Sequence, residues 1–213
     1  MATSCVLYTA PGAAGLCVHW LLIDAGIAHE LRLLDLAAGQ HKAPDYLALN
    51  PNGLVPTLVI DAQPVYEAAA LLLLLAERHP EAALRPARGS RAEALYLQWT
   101  LQLANTLMPA FRNWFYPHEA AGEEAAARAK EVARLRIEAA FDRLDAHLAA
   151  HGPYVCGEAI SAVDFLATML MRWSRNMPKP ATSWPTLSGY IARMKARPSF
   201  TVLYEREGLT EWA

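Results

Sequence analysis

A helix start that directly follows a short extended run is the first place where this sequence could hold a charged ligand. Glu67 and Ala68 stand there, after the run that ends at Tyr66 and before an apolar helical segment. The first backbone N–H groups of a helix have no acceptor within the helix, so they can bind a carboxylate. The Glu67 carboxylate could pair with an ammonium group of a ligand, although acidic residues are common in first helical turns because of the helix dipole alone. Both interpretations remain open on these residues.

Two further loops have the composition of a ligand site. Residues 10–15 read APGAAG between the first predicted strand and the first predicted helix. Small side chains let a ligand approach the backbone closely, and the helix that follows favours an anion, but a plain tight turn explains the same residues. Val55 precedes Pro56 at the start of another predicted strand. That peptide bond is either an ordinary trans bond or a functional cis bond.

The first 80 residues contain the elements that would position these loops. Short β-rich runs and helical patterns alternate in the order β-α-β-α-β-β-α. The predicted strands cover residues 4–9, 30–35, 57–60 and 64–66, and the predicted helices cover residues 15–25, 44–49 and 67–79. A parallel pair joined by a right-handed crossover, with an antiparallel hairpin at the edge, is the expected packing. All three loops then lie at the end of the sheet where open α/β folds bind ligands.

Helical patterns occupy the rest of the chain after a linker at residues 81–89. The predicted helices cover residues 90–116, 122–150, 161–175, 185–196 and 199–206. The second of these carries one apolar stripe at helical spacing, formed by Ile137, Phe141, Leu144 and Leu148. We therefore predict an α/β domain over residues 1–80 and an all-helical bundle domain over residues 90–213.

Composition and charge exclude several classes of protein. Of the 213 residues, 54% are hydrophobic and 19% are charged, so the chain is globular rather than disordered. The net charge of -2 and the pI of about 6.4 argue against nucleic acid or an anionic membrane surface as a partner. No uncharged apolar stretch approaches the roughly 20 residues that a membrane span needs, and the N-terminal segment does not have the pattern of a signal peptide.

The cysteines and histidines do not indicate a metal site. Cys5, Cys17 and Cys156 cannot all pair within the chain and form neither CxxC nor a zinc spacing, so a reduced cytoplasmic setting is expected. His147 and His151 are four residues apart on a predicted helix. Histidines at a helix C-terminus interact favourably with the dipole in any case, and we predict no metal.

The order and spacing of these motifs resemble those of the cytosolic glutathione transferases in their two-domain bacterial form. The similarity runs through LYTAPGAAGL, GQHKAPDYLALNPNGLVPTL and YEAAALLLLLAERHP into the helical half. There, Ser161 and Asp164 resemble the family's helix-capping box, with Ile160 and Phe165 placed as a hydrophobic staple. The resemblance covers essentially the whole chain and implies a thioredoxin-like N-terminal domain followed by a helical bundle.

The resemblance also implies a binding site for glutathione, as a substrate, in the N-terminal domain. Val55, before a cis Pro56, would pair its backbone with the cysteinyl part of the tripeptide. Glu67 and Ala68 would hold the γ-glutamyl end, and His41 would reach the glycyl carboxylate. The helical domain would supply a pocket for a small hydrophobic electrophile, formed by Met108, Phe111, Trp114 and Tyr116. Family members are usually homodimers.

The residues that normally activate the thiol in this family are missing. When the sequences are aligned on LYTAPG, the tyrosine position is Thr9, the serine position is Ala13 and the cysteine position is Ala14. We therefore predict Thr9 as the catalytic hydrogen-bond donor, with a backbone N–H of the Ala13–Ala14 loop as the alternative. Ala68 also replaces the usual serine after Glu67, which leaves only the backbone N–H at that position.

The sequence thus predicts a glutathione S-transferase that conjugates the glutathione thiolate to a small hydrophobic electrophile, as in detoxification, with activity weakened by Ala13 and Ala14. The main alternative is a catalytically weak glutathione-binding or carrier protein of the same fold. A glutathione-dependent isomerase or dehalogenase is a further alternative, although the serine–cysteine loop expected of the isomerase is missing. A glutathionyl reductase would need a thiol at Ala14. A protein-interaction module without glutathione is the last alternative.

Overall fold

A computed structural model describes residues 5–212, and within them the chain divides into two compact units. The first unit contains the described residues up to Arg85 together with those from Met194 onward, and the second contains Pro86–Arg193. The all-helical domain predicted from the sequence extends to residue 213. In the structure, by contrast, the last helix belongs with the α/β unit, because it packs on a helix of that unit.

A mixed four-stranded sheet forms the centre of the first unit, with strand order β2-β1-β3-β4. β1 pairs in parallel with β2, and β3 pairs antiparallel with both β1 and β4, which confirms the expected parallel pair and edge hairpin. The strands are β1 (Cys5–Thr9), β2 (Glu30–Leu33), β3 (Thr57–Ile60) and β4 (Gln63–Tyr66). The helices between and after them are α1 (Leu16–Asp24), α2 (Pro44–Leu47) and α3 (Ala68–Arg78).

The core of this unit lies between the sheet and its helices. Leu7 and Leu58 are fully buried on adjacent strands, as their position in alternating strands requires. The first seven residues of α1 are all buried, so this helix lies within the core rather than at its edge. From α3, the buried residues recur at helical spacing and are Ala68, Leu71, Leu72, Leu75 and Ala76.

The second unit is helical. Its helices are α4 (Arg91–Gln102), α5 (Met108–Phe115), α6 (Pro117–His151), α7 (Ala162–Trp173) and α8 (Pro185–Lys195), the last of which ends in the first unit. The single helix predicted over residues 90–116 is interrupted by a π-helical turn at Leu103–Leu107, next to Pro109 in the first turn of α5. Gly122 breaks α6 with φ 69° and ψ 172°, so the long regular helix begins at the position predicted from the sequence. None of the helices in the described part of the chain is both long and apolar enough to cross a membrane.

α7 is the central helix of the second unit, and eleven of its residues are buried. Its N-terminus carries the predicted capping box, in which Ser161 and Asp164 exchange side-chain and backbone hydrogen bonds. The Asp164 carboxylate also accepts from the Val155 N–H at 2.9 Å and from the Tyr190 hydroxyl at 2.8 Å. The donors from Val155 and Tyr190 therefore tie α7 to two neighbouring segments.

The last helix, α9 (Pro198–Glu207), packs against α1 within the first unit. The Trp20 indole N–H donates to the Ser199 hydroxyl at 2.9 Å, and the Trp20 ring lies 5.3 Å from that of Phe200. At the end of α1, Asp24 accepts two hydrogen bonds from the Arg197 guanidinium, at 2.9 and 2.7 Å. Since the end of α1 contacts the start of α9, the two helices run in opposite directions.

Candidate functional site

The strand register brings the three candidate loops to one end of the sheet. Tyr8 is paired with Thr57, and Thr57 is paired with Tyr66, so β1 ends, β3 begins and β4 ends at the same level. The loops that follow β1, precede β3 and follow β4 therefore meet there. The Val55–Pro56 peptide bond in the second of these loops is cis, as the sequence resemblance implies.

Buried polar side chains hold the backbone on both sides of Val55. The Tyr46 hydroxyl lies 2.6 Å from the Leu54 carbonyl oxygen, and the Asn50 amide donates to the same oxygen at 2.8 Å. Both side chains also contact the Thr57 hydroxyl, at 2.9 Å and 3.2 Å. Because this network fixes the residues before and after Val55, it leaves the Val55 backbone in one defined position at the end of the sheet.

Glu67 connects β4 to α3 in an uncommon backbone conformation. Its φ of 77° lies in the positive region that non-glycine residues seldom adopt, and its side chain is exposed. Leu71 donates to the Glu67 carbonyl at 2.9 Å, so the N–H groups of residues 68–70 precede the first hydrogen bond of the helix. Backbone strain of this kind is concentrated at ligand sites, and here it places a carboxylate beside helix-end amides.

Thr9, Gly15 and Pro56 are packed against one another where the loops meet. A Cβ added to Gly15 would lie 2.0 Å from the Thr9 hydroxyl oxygen and 3.2 Å from the Pro56 side chain. The Thr9 side chain is fully buried, and its hydroxyl donates to the Ala10 carbonyl at 3.4 Å. The Thr9 hydroxyl is therefore enclosed by the protein, and its role as a donor to a thiol stays a prediction.

The backbone amides of the 10–15 loop differ in their partners. The Ala13 N–H donates to the Ala10 carbonyl at 3.1 Å and closes a turn. The Gly12 N–H donates to the Glu207 carboxylate at 2.8 Å. The Ala14 N–H has no acceptor among residues 5–212, and Ala14 is half-buried. Of the two amides offered by the sequence as alternatives to Thr9, Ala14 is the one that remains available to a ligand.

His41 lies on a 3₁₀ turn, Gln40–Lys42, between β2 and α2. Its ring is half-buried, and within the described chain its Nδ1 is buried without a hydrogen-bond partner. The neighbouring Lys42 ammonium donates to the Asn52 carbonyl at 3.3 Å. A ring nitrogen with an unfilled hydrogen bond next to a lysine suits a ligand carboxylate.

The four predicted pocket residues lie in the second unit, on and just after α5. Met108 and Trp114 are half-buried, and Tyr116 is 41% exposed. Phe111, by contrast, is fully buried, because its ring packs in the core of the unit against Phe115, Phe141 and Trp173. Three of the four predicted pocket side chains are thus at least partly accessible, and Phe111 belongs to the core.

Cys17 and His147 belong to the packing of the protein, whereas His151 is exposed. Cys17 is fully buried, and burial raises the pKa of its thiol to about 12. His147 Nε2 lies 2.8 Å from the Val155 carbonyl oxygen, which it can contact only as a donor. In the part of the chain that the structure describes, no group of three or more His, Cys, Asp or Glu side chains could hold a metal ion.

Two residues near the site, His19 and Glu207, were not identified from the sequence. His19 is buried in α1, and its Nδ1 lies 2.8 Å from the carboxylate of Glu207 at the end of α9. Glu207 and Gly12 are separated by 195 positions in the chain. No local motif marks such a pair, and only correlated substitutions among related sequences could have indicated it.

Family models match both units of the chain. Residues 16–78 match the model described as the N-terminal domain of glutathione S-transferase, and residues 105–202 match the model of its C-terminal domain. The chain is also 30% identical over 204 residues to glutathione S-transferase GST-4.5 of Xanthomonas campestris pv. campestris. That alignment covers 95% of this chain and 98% of the relative.

Solved structures agree with the sequence matches. A glutathione transferase homologue from Sulfitobacter, with bound glutathione, is 25% identical with a TM-score of 0.90 and covers 99% of this chain and 100% of its own. A glutathione S-transferase from Xylella fastidiosa is 30% identical with a TM-score of 0.86, covering 97% and 100%. The similarity therefore extends over both units.

Replacing Gly15 with alanine is expected to lower the free energy of unfolding by about 2 kcal/mol, because the new methyl group overlaps the buried Thr9 side chain. Gly189 provides the matched control, since a Cβ there meets nothing within 4 Å. In that exposed position of α8, alanine is expected to raise stability by up to about 1 kcal/mol. Urea denaturation of both variants measures the difference, and equal effects at the two positions would contradict the packing of Gly15 on Thr9.

Proposed function

This chain belongs to the glutathione S-transferase family, and we propose that it binds glutathione in the first unit and transfers the glutathione thiolate to a small hydrophobic electrophile. The observation that carries the proposal is the placement of the α3 N-terminus. Glu67, with its positive φ, and the amides that follow it lie at the same end of the sheet as the cis Val55–Pro56 bond and the 10–15 loop. A tripeptide with charges at both ends matches this distribution of groups.

In the proposed complex, each part of glutathione has its own partner. The exposed Glu67 carboxylate binds the ammonium of the γ-glutamyl group, and the Ala68 N–H binds its carboxylate at the helix N-terminus. The Val55 backbone pairs with the cysteinyl part. His41 donates to the glycyl carboxylate from the turn before α2. The three charged groups of the ligand thereby fix its orientation, and its thiol faces the 10–15 loop.

We assign thiol activation to the Ala14 N–H, with Thr9 supporting the loop from beneath. The support for this assignment is the burial of Thr9 and the unused hydrogen-bonding capacity of Ala14. A cysteine-like thiol has a pKa of about 8.5, and lowering it to about 6.5 requires roughly 2.7 kcal/mol of preference for the thiolate. One hydrogen bond to a charged group supplies roughly 1.5–3 kcal/mol, and the N-terminus of α1 adds about 0.3–1 kcal/mol. Backbone groups alone are therefore sufficient in magnitude.

The second substrate is proposed to bind to the second unit at Met108, Trp114 and Tyr116, while the fully buried Phe111 belongs to the core of that unit. These side chains offer apolar and aromatic surface, which suits a small hydrophobic electrophile. Catalysis then comes from holding two reactants together and from stabilising the thiolate. No metal takes part in the proposed reaction.

A homodimer in the cytoplasm is also part of the proposal. Leu97 and Leu101 lie one turn apart on α4 and are 41% and 54% exposed, and Leu135 on α6 is 52% exposed. Exposed apolar side chains grouped on helices commonly mark protein–protein interfaces. A reducing compartment fits Cys5, Cys17 and Cys156, all of which are free.

The proposed function is tested by titrating the protein with glutathione while following thiolate absorbance in the ultraviolet across a range of pH. A thiolate signal near neutral pH is expected, together with turnover of at least one member of a panel of electrophiles. Binding by calorimetry without thiolate or turnover would instead identify a carrier protein. An absence of binding by either method would contradict the proposed glutathione site.

The variant Glu67→Ala is expected to weaken glutathione binding by at least about tenfold, because the ligand ammonium loses its charged partner. Glu77 gives the matched control, since it is an exposed glutamate in α3, at the opposite end of that helix. Isothermal titration calorimetry of E67A and E77A measures the difference. An unchanged dissociation constant in E67A would remove Glu67 from the γ-glutamyl site.

The variant Thr9→Val is expected to retain kcat within about twofold, because valine is also β-branched and the buried Thr9 hydroxyl makes one long hydrogen bond, to the Ala10 carbonyl. Thr57→Val is the comparison on the neighbouring strand, where the hydroxyl belongs to the network around Val55. T57V is expected to raise KM for glutathione while T9V does not. A large fall in kcat of T9V, with normal stability, would make the Thr9 hydroxyl the donor after all.

A further inference from the structure

Glu207, the last residue of α9, places a buried carboxylate against the 10–15 loop. One of its oxygens accepts from the Gly12 N–H at 2.8 Å, and the other lies 2.8 Å from His19 Nδ1. The side chains of Glu207 and His19 are both fully buried. Gly12 and Glu207 both lie outside the residues matched by the two family models. The contact is therefore a feature of this chain that the family matches do not describe.

The burial of this pair demands a structural reason. Removing a carboxylate and an imidazole from water costs several kcal/mol in order of magnitude unless hydrogen bonds replace the lost solvent. Glu207 has two such partners, but His19 Nε2 is buried without a partner among the described residues. An apolar pair would fill the same space without leaving that atom unsatisfied. What the carboxylate provides that an apolar side chain cannot is an acceptor for the Gly12 N–H.

The 10–15 loop has no polar side chain of its own that could hold its conformation. Between the buried Ala10 and Gly15 it contains an exposed proline, a glycine with φ 68° and two alanines, none of which has a polar side chain. Turn bonds join the Ala13 N–H to the Ala10 carbonyl at 3.1 Å and the Leu16 N–H to the Ala13 carbonyl at 3.0 Å. Glu207 holds Gly12, the third residue of the first of these turns, two positions ahead of Ala14. The Glu207 side chain therefore contributes to the direction in which Ala14 presents its amide.

We propose that Glu207 is a positioning residue for thiol activation: it holds the 10–15 loop through Gly12, so that the Ala14 N–H is aimed at the glutathione sulfur. His19 orients the carboxylate by binding its second oxygen. The inference rests on the proposed function and deepens it, because it assigns part of the activation of glutathione to the C-terminal helix of the chain.

The charge of Glu207 and its role in positioning the loop have opposite effects on the pKa of the glutathione thiol. A nearby carboxylate disfavours a thiolate, and this charge contributes, after burial, to the raised pKa of the neighbouring Cys17 thiol. By positioning the Ala14 N–H, Glu207 lowers the pKa of the bound glutathione thiol, whereas the negative charge of Glu207 raises that pKa. Two conservative variants separate these effects. Glu207→Asp keeps the charge but shortens the side chain, and Glu207→Gln keeps the length but removes the charge.

The contact at the other end of α9 supplies a matched control. There, Asp24 of α1 accepts hydrogen bonds from Arg197 and from the Ser199 hydroxyl. Asp24→Asn weakens the same pair of helices without touching the loop. If Glu207 served only to attach α9 to α1, Asp24→Asn and Glu207→Asp would have the same consequences.

The experiment measures the pKa of the bound glutathione thiol by ultraviolet titration in wild-type, E207D, E207Q and D24N proteins. Hydrogen exchange of the 10–15 loop is measured in the same proteins without ligand. E207D is expected to raise the thiol pKa by about one unit, which corresponds to about a tenfold loss of thiolate, and to accelerate exchange of the loop. E207Q is expected to lower the thiol pKa, because it keeps an acceptor at Gly12 and removes the opposing charge, whereas D24N is expected to leave the thiol pKa within about 0.3 units of wild type. Glutathione affinity is expected to stay within about twofold in all variants, because the charged ends of the ligand bind elsewhere.

Several results would overturn the positioning role. One such result is an E207D protein in which the thiol pKa and the hydrogen exchange of the 10–15 loop are the same as in wild type. Another is a D24N protein in which the thiol pKa and the loop exchange change as much as they do in E207D. A raised thiol pKa in E207Q, which keeps an acceptor at Gly12, would also contradict the positioning role. Wild-type protein that binds glutathione without forming a thiolate would contradict the proposed activation itself, and Glu207 would lose its role with it. Hydrogen exchange of the loop is measured without glutathione, so it tests the contact between Glu207 and Gly12 separately from the proposed activation of the thiol.

Discussion

The contact of Gly15 with Thr9 and Pro56 is the constraint on which the candidate site depends. It joins the end of β1, the start of α1 and the segment before β3 at a distance that leaves no room for a Cβ. Thr9 and Thr57 are fully buried and stand at adjacent strand ends. Because of this, neither the 10–15 loop nor the segment before β3 can shift without disturbing the sheet. The positions of the Ala14 amide and of the Val55 backbone are thus properties of the core, although both groups belong to loops.

The proposed site uses backbone groups and therefore tolerates alanine at positions where the sequence resemblance implies hydroxyl or thiol side chains. The alanine side chains at residues 13, 14 and 68 contribute no hydrogen-bond donor. Each of these residues still has its backbone N–H, which only proline lacks. Such a site is sensitive to whatever fixes the backbone, because a displaced amide cannot be replaced by a rotated side chain. The buried network of Tyr46 and Asn50 around Val55, and the carboxylate of Glu207 at Gly12, have this supporting role in the described structure.

Most of the fold could be predicted from local sequence patterns. Several features that could not be predicted depend on contacts between residues far apart in the chain. Period-two and helical spacing placed the strands and helices to within about two residues for most elements, because those patterns record which face is buried. The π-helical turn at Leu103–Leu107 was missed because local propensity does not distinguish it from the helices on either side. The burial of Thr9 was missed because strand alternation gives the face of a residue but not what covers it. The contact of Glu207 with Gly12 has no local signal at all, since 195 positions separate the two residues.

The first unit is assembled from two distant parts of the chain, so α9 cannot be removed without exposing the core of that unit. Trp20 and Asp24 turn toward α9, so a chain that ended before α9 would expose the Trp20 indole and leave its N–H without Ser199. It would also leave the buried His19 ring without its carboxylate. The α/β segment is therefore incomplete as a fold until the whole helical half has been made and α9 has returned to α1. We therefore expect the candidate site to reach its final geometry only when α9 is present, even though every residue proposed to contact glutathione lies before α3 or in its first turn.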